Sequence, residues 1–170
     1  MKTLNLTQEF SVPLAMLLRA REERYKHLDK FPELKNVSVV EEVKQDNNLH
    51  QVRHISIAES MPAVLASILP AGADTLIETS DFHLDTNKHI FKVVPGGKGQ
   101  PLFVIEGESE YRAKGEHSER SYVIQISSSA FLVSGVVEAA IAEIYSHSLE
   151  KDFTSIQNFI TMLSENDAAN

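Results

Sequence analysis

Residues 102–129 read LFVIEGESEYRAKGEHSERSYVIQISSS. In the first part Phe103, Ile105, Gly107, Ser109 and Tyr111 alternate with Val104, Glu106, Glu108, Glu110 and Arg112. Successive strand side chains point to opposite faces, so this spacing predicts a strand with one dry and one wet face. Tyr122, Ile124 and Ile126 repeat the pattern in 120–129, and Lys114-Gly115-Glu116-His117 between them has turn composition. Upstream, 75–84 and 89–94 are two more strand runs joined by Asp85-Thr86-Asn87-Lys88, and the stretch Pro95 to Gly99 leads into 102. An antiparallel four-stranded meander is implied. Downstream, Val133, Val136, Val137, Ala140, Ile141, Ile144, Tyr145, Phe153, Ile156, Phe159, Ile160 and Leu163 keep helical spacing, which predicts one long helix over about 132–163. A polar stretch at 146–152 interrupts its apolar stripe. The remainder, from Ser164, has no apolar anchor and is expected to fray.

Working back towards the first residue, Leu4, Leu6 and Phe10 fall at period two and predict a strand. Pro13 suits a first helical turn, and Leu14, Leu17, Leu18, Arg21 and Tyr25 then recur at three and four residues, giving an amphipathic helix that ends near Leu28. Phe31-Pro32 breaks that periodicity, because a residue before proline is pushed out of the helical region, and 33–36 reads as a loop. Two β-rich runs, 37–44 and 49–58, flank Gln45-Asp46-Asn47-Asn48 as a hairpin. Met61, Val64, Leu65, Ile68 and Leu69 return to helical spacing between Pro62 and Pro70, as a short helix apolar over most of its surface. The order is therefore strand, helix, hairpin, short helix, meander and long helix. It defines an α+β domain over 1–164, with 165–170 as a tail: a curved antiparallel sheet of about seven strands around one long C-terminal helix. Such a grip leaves room for a cavity between helix and sheet.

Composition narrows the function. The chain has 170 residues, 42% hydrophobic and 24% charged, as one globular domain requires. Its 24 acidic and 16 basic side chains give a net charge of -8, which works against nucleic-acid binding. With no cysteine, disulfides, thiolate metal sites and cysteine nucleophiles are excluded. The opening MKTLNLTQEF alternates polar and apolar residues and is not the pattern of a secretory signal, so a cytoplasmic location is expected. No apolar run approaches the roughly 20 residues of a membrane-spanning helix.

Few residue patterns speak for chemistry. His50 and His54 lie four apart on a strand, where that offset separates side chains by roughly 13 Å, too far for a shared metal. His83 and His89 flank a hairpin turn and read as a solvated cross-strand pair. Gly96-Gly97-Lys98-Gly99 lacks the spacing of a phosphate-binding loop and opens no helix. Ser127-Ser128-Ser129 has neither the Gly-x-Ser-x-Gly setting nor an assigned base. Glu106, Glu108 and Glu110 form one strand face, read as a soluble face and not as a cation site. No metal or cofactor is expected. Arg53 stands apart because the apolar helix follows it, and a guanidinium at a cavity mouth pairs with a carboxylate or phosphate in two-pronged geometry. The bland alternative is an ion pair with Glu42 or Glu78 on a neighbouring strand. The 61–69 helix is either core or a movable lid, whose methionine suits adaptable contacts and whose apolar residues would touch a bilayer transiently when open.

The order of elements resembles that of the START-like, or helix-grip, superfamily, which includes the pollen-allergen and polyketide-cyclase folds; the resemblance covers nearly the whole chain. Within it the pattern is similar to the PRELI-like lipid-transfer branch. The shared features are the step Phe10-Ser11-Val12-Pro13 into a helix, Arg53-His54-Ile55-Ser56 leading to Met61-Pro62-Ala63-Val64-Leu65, and Glu78-Thr79-Ser80 followed by Asp85 and Lys88. The resemblance implies a non-enzymatic carrier of a lipid or another hydrophobic small molecule. Expected lining residues are Arg53, Ile55 and Ile57, the lid residues Met61, Leu65, Ile68 and Leu69, then Phe82 and Phe91, Phe103, Ile105 and Tyr111, Tyr122, Ile124 and Ile126, and Ile141 and Tyr145 from the helix. The rival is a cyclase-like or hydrolase-like enzyme using His54, His83, Glu78 or Tyr111 as acid or base. A third reading is a filled core with the apolar helix as a partner surface.

Overall fold

The computed structural model describes residues 1–57, 61–69 and 73–169. Seven strands, β1 (Lys2–Phe10), β2 (Val37–Gln45), β3 (Asn48–Ser56), β4 (Thr75–His83), β5 (Lys88–Pro95), β6 (Phe103–Lys114) and β7 (His117–Ser128), form one antiparallel sheet in the order β1-β7-β6-β5-β4-β3-β2. Consecutive strands from β2 to β7 are hairpin neighbours, and β1 closes the sheet by pairing with β7 from Lys2↔Ile126 to Phe10↔Ser118. The turns carry the residues that a left-handed backbone favours: Asp46 (φ 55°), Asn87 (φ 56°) and Gly115 (φ 63°). Edge strand β2 is exposed along nearly its whole length and carries a bulge between Val39 and Glu41, a combination that discourages further edge pairing.

The outer face of the sheet is charged, with Lys88–Glu108 at 3.6 Å, Lys92–Glu106 at 3.5 Å and Arg112–Glu110 at 2.9 Å. These cross-strand and along-strand pairs account for the three glutamates of β6. Across the inner face lies α3 (Ser134–Ala169), 36 residues and so about 54 Å long. It packs on β7, β1 and the N-terminal helix α1 (Leu14–Glu23). Two apolar clusters result. One joins Phe103, Ile105, Ile124 and Ile126 to Val137 and Ile141 in the first half of α3. The other joins Phe10, Leu17 and Phe31 to Ile156 and Phe159 in its second half. Between them lies the polar stretch 146–152 that interrupts the apolar stripe of the sequence.

Several elements differ from expectation. Helix α1 ends at Glu23 and tightens into a 3₁₀ turn, Arg24–Lys26, and the loop at 33–36 is a second 3₁₀ turn, Pro32–Asn36. The short apolar helix is a single turn, α2 (Ala63–Ala66), and not 61–69. Pro62 starts it without a side-chain cap, and the amides of Ile68 and Leu69 both return to the Leu65 carbonyl, at 3.1 and 2.9 Å, which closes the turn. Pro70, at its expected far end, and Ala58, at the expected end of β3, lie outside the described residues, as does Asn170. Leu132 cannot belong to α3, because its backbone is left-handed (φ 63°). Beyond Ser164 the helix continues to Ala169. His83 and His89 are not partners: the register sets His83 opposite Lys88 and His89 opposite Phe82.

Candidate functional site

A cavity of about 580 Å³ lies between the inner face of the sheet and α3. One wall is apolar, built from Ile55, Ile57, Leu76, Phe91, Val93, Tyr122, Ile144 and Tyr145. Phe91 stacks on Tyr145 with ring centroids 6.3 Å apart and meets Tyr122 edge-on at 6.5 Å. The Phe91 ring lies on the backbone of Gly107. A Cβ at 107 would sit 2.3 Å from Phe91 Cζ, so only glycine lets the ring lie flat there.

The rest of the lining is largely cationic. Five wall residues are Arg or Lys and three are Asp or Glu, inside a chain whose net charge is negative. Arg120, from β7, is fully buried and donates to Asp152 Oδ2 at 2.9 Å and to Gln8 Oε1 at 2.6 and 3.0 Å. Gln8 in turn donates to the Leu149 carbonyl at 3.2 Å. Arg24 donates to the other oxygen of Asp152, so one carboxylate serves two guanidiniums. Burial pushes the Asp152 carboxyl up, but Arg24 and Arg120 outweigh it and hold the group at about 2. Arg21 pairs with Glu22 and lies over the rings of Phe82 and Tyr111, at 4.6 and 5.6 Å. Burial raises the Tyr111 hydroxyl, yet Arg21 and Arg120 prevail and leave it below its ordinary value.

Arg53 enters from β3. It donates to the Tyr25 hydroxyl at 3.3 Å and to Gln51 Oε1 at 2.8 Å, and lies over the Tyr25 ring at 5.2 Å. Glu78 stands opposite it in the β3–β4 register. Burial raises the Glu78 carboxyl above the ordinary value, with Arg53 and Arg21 only partly offsetting this. Burial also pushes His89 well down, reinforced by Arg21, Arg53 and Arg120, so its imidazole is neutral at pH 7. Among the described residues no group of three His, Cys, Asp or Glu side chains is placed to hold a metal ion, and no helix is long and apolar enough to cross a membrane.

Of the residues singled out by the sequence, Arg53, Ile55, Ile57, Phe91, Tyr111, Tyr122 and Tyr145 line this cavity. Phe103, Ile105, Ile124, Ile126 and Ile141 pack in the first core beside it, and Phe82 lies in the second core beneath Arg21. None of the four lid residues is on the wall: Leu65 is fully buried in the first core, Met61 and Leu69 pack against it, and Ile68 is exposed. Among the proposed acid–base residues, Glu78 and Tyr111 reach the cavity, whereas His54 and His83 do not. His50, for its part, meets Asp81 across the strands at 3.0 Å.

Sequence reasoning missed Arg21, Arg24, Arg120, Asp152 and Ser155 as wall residues, and His89 turns inward where a solvated position was expected. The signals were present for three of them. Arg21 occupies an apolar position in the spacing of α1, Arg120 shares the parity of Tyr122, Ile124 and Ile126, and Asp152 falls between Leu149 and Ile156 on the buried side of α3. A charged residue in a core register signals a polar cavity.

A seven-stranded antiparallel sheet curved around one long C-terminal helix, with a cavity between them, is the START-like helix-grip fold. No family model matches the sequence, and no curated protein matches it. Solved structures do. Ara h 8.0201 superposes with a TM-score of 0.66 at 11% identity over 95% of this chain and 98% of its own. Norcoclaurine synthase from Thalictrum flavum gives 0.65 at 11% identity over 94% and 86%. A START superfamily protein from Mycobacterium smegmatis gives 0.55 at 11% identity over 95% and 98%. At such identities the likeness establishes the fold alone. The fold does not decide between binding and catalysis.

Proposed function

We propose that this chain is a non-enzymatic binder of a lipid or another hydrophobic small molecule, held between the sheet and α3. The carrying observation is the cavity itself, whose 580 Å³ falls in the size range of small-molecule sites and whose Phe91–Tyr145–Tyr122 wall offers flat apolar surface. Binding then comes chiefly from apolar area removed from water, at about 25 cal/mol per Å² before the cost of ordering the ligand. The three solved structures of this fold bear names of different kinds, one of them a synthase. A catalytic reading therefore needs residues, not the fold, and of its four candidates His54 and His83 lie away from the cavity.

Transfer between membranes is the finer form of this reading. It draws on the Phe10 to Pro13 step into α1, in which Phe10 is buried and Pro13 takes the cap position. It also draws on the residues that flank α2, of which Ile68 is exposed and Met61 and Leu69 are partly so. Native mass spectrometry of the gently purified protein, followed by organic extraction, tests binding without a guessed ligand. A stoichiometric lipid-sized adduct is the expected result. A clean unliganded mass, with no uptake from a mixed panel of lipids and fatty acids, overturns the proposal.

A further inference from the structure

The cationic wall is not internally balanced. Four guanidiniums, those of Arg21, Arg24, Arg53 and Arg120, lie within it. Arg24 and Arg120 share Asp152, and Arg21 has Glu22. Arg53 is left with the poorest partner. Its ion pair is a long one, 4.0 Å to the same Glu22 oxygen that Arg21 already engages, and its two close acceptors, Tyr25 and Gln51, are neutral. Its Nε is buried with no acceptor among the described residues. The side chain is only 11% exposed, so solvent offers little compensation. Glu78 stands opposite it in register but makes no close ion pair with it among the described residues.

A second unspent donor lies on the same cavity. Ser155 Oγ, on α3 one turn beyond Asp152, is buried without a partner among the described residues, and the residue is 3% exposed. Buried donors left unpaired cost free energy, and a buried cation without a close anion costs more. Both are relieved by one kind of guest.

We infer that Arg53, assisted by Ser155, is the receptor for an anionic oxyacid group, a carboxylate or a phosphate monoester, at the head of an otherwise apolar ligand. The inference deepens the binding proposal above and rests on it. The apolar body takes the Phe91–Tyr145 wall while the head accepts from the guanidinium and the hydroxyl. A planar guanidinium suits either oxyacid, and the charge-assisted bonds form where water is largely excluded.

The test compares palmitate, hexadecyl phosphate and hexadecanol as competitors for a neutral solvatochromic probe, Nile red, with inorganic phosphate as a fourth competitor. At least one of the two anions is expected to bind about tenfold or more tighter than the alcohol. In Arg53→Gln the preference for anion over alcohol should collapse to within about twofold; Arg53→Lys, which keeps the charge but not the fork, should retain part of it. Equal affinity of alcohol and anions in the wild type overturns the head-group receptor and leaves the binding proposal standing. Displacement by inorganic phosphate as effective as by hexadecyl phosphate overturns the apolar-body half, and with it the binding proposal, but not the anion site. Failure of all four to compete overturns both. The wild-type comparison needs no variant, and Ser155→Ala, expected to weaken the anions selectively by a few-fold, gives a second readout should Arg53→Gln not fold.

Discussion

Asp152 joins three elements with one carboxylate: Arg24 from the turn after α1, Arg120 from β7 and its own helix α3. Its folded value of about 2 lies below the ordinary 3.8 of an aspartate. In the interval between the two the unfolded chain binds a proton that the native protein refuses. The stabilisation from this group is therefore complete above about pH 4 and is lost as the pH falls towards about 2. Asp152→Asn should cost about 3 kcal/mol at neutral pH, since it strands two buried guanidiniums, and should flatten the acid limb of the stability curve over that interval. Urea unfolding of both proteins from neutral pH to about pH 2 checks this. Acid limbs that run parallel would show that the bridge contributes nothing to acid sensitivity. The partners themselves could not be paired from the sequence: Arg24 and Asp152 are 128 positions apart, and local spacing places each on a buried face without saying which two buried faces meet.

At the scale of elements, β6 carries the cavity's most exacting contact. Gly107→Ala puts a methyl carbon 2.3 Å from Phe91 Cζ, and the ring cannot yield freely because it stacks on Tyr145. A loss of about 1–3 kcal/mol is expected from this overpacking, together with weaker Nile red binding as the aromatic wall shifts. A variant whose urea midpoint and probe affinity both match wild type would refute the account of the wall. The strands were legible in the sequence because their signals are local: alternation fixes the faces, and Asp46, Asn87 and Gly115 fix the turns. The long helix was legible for the same reason, including the polar interruption that turns out to border the cavity. The 61–69 helix was not. An apolar run reports burial but not length, and here the chain turns back after Ala66, leaving Leu65 as the anchor in the first core. The cavity was only half legible. Apolar wall residues such as Phe91 and Tyr122 follow from parity, and so does the inward position of Arg120, whereas the meeting of Arg21 and Arg24 with Arg53, Arg120 and Asp152 depends on helices and sheet coming together, which no single stretch encodes.

For the molecule as a whole, the two apolar clusters on the two halves of α3 border one cavity, and the groups that bridge them beside it are polar: Arg120 lies over both Tyr111 and Tyr122, and the His89 ring lies between Phe82 and Phe91. A ligand that fills this space joins the two cores with apolar contact and pairs the remaining guanidinium, so it binds the folded chain and has no equivalent site on the unfolded one. Mass action then fixes the consequence. At free palmitate about a hundred times its dissociation constant, the folded state gains about 2.7 kcal/mol. In a domain of this size each kcal/mol moves the midpoint by about 2–4 °C, so the Tm should rise by about 5–10 °C and keep rising with the logarithm of concentration. Scanning fluorimetry over a series of palmitate concentrations below the micellar range measures it. Arg53→Gln should need correspondingly more palmitate for the same shift, and the advantage of palmitate over hexadecanol should disappear. Competition with Nile red unaccompanied by any rise in Tm would place the ligand on the surface or on the unfolded chain, and the space between sheet and helix would then have to be regarded as a void bridged by arginines instead of a binding site.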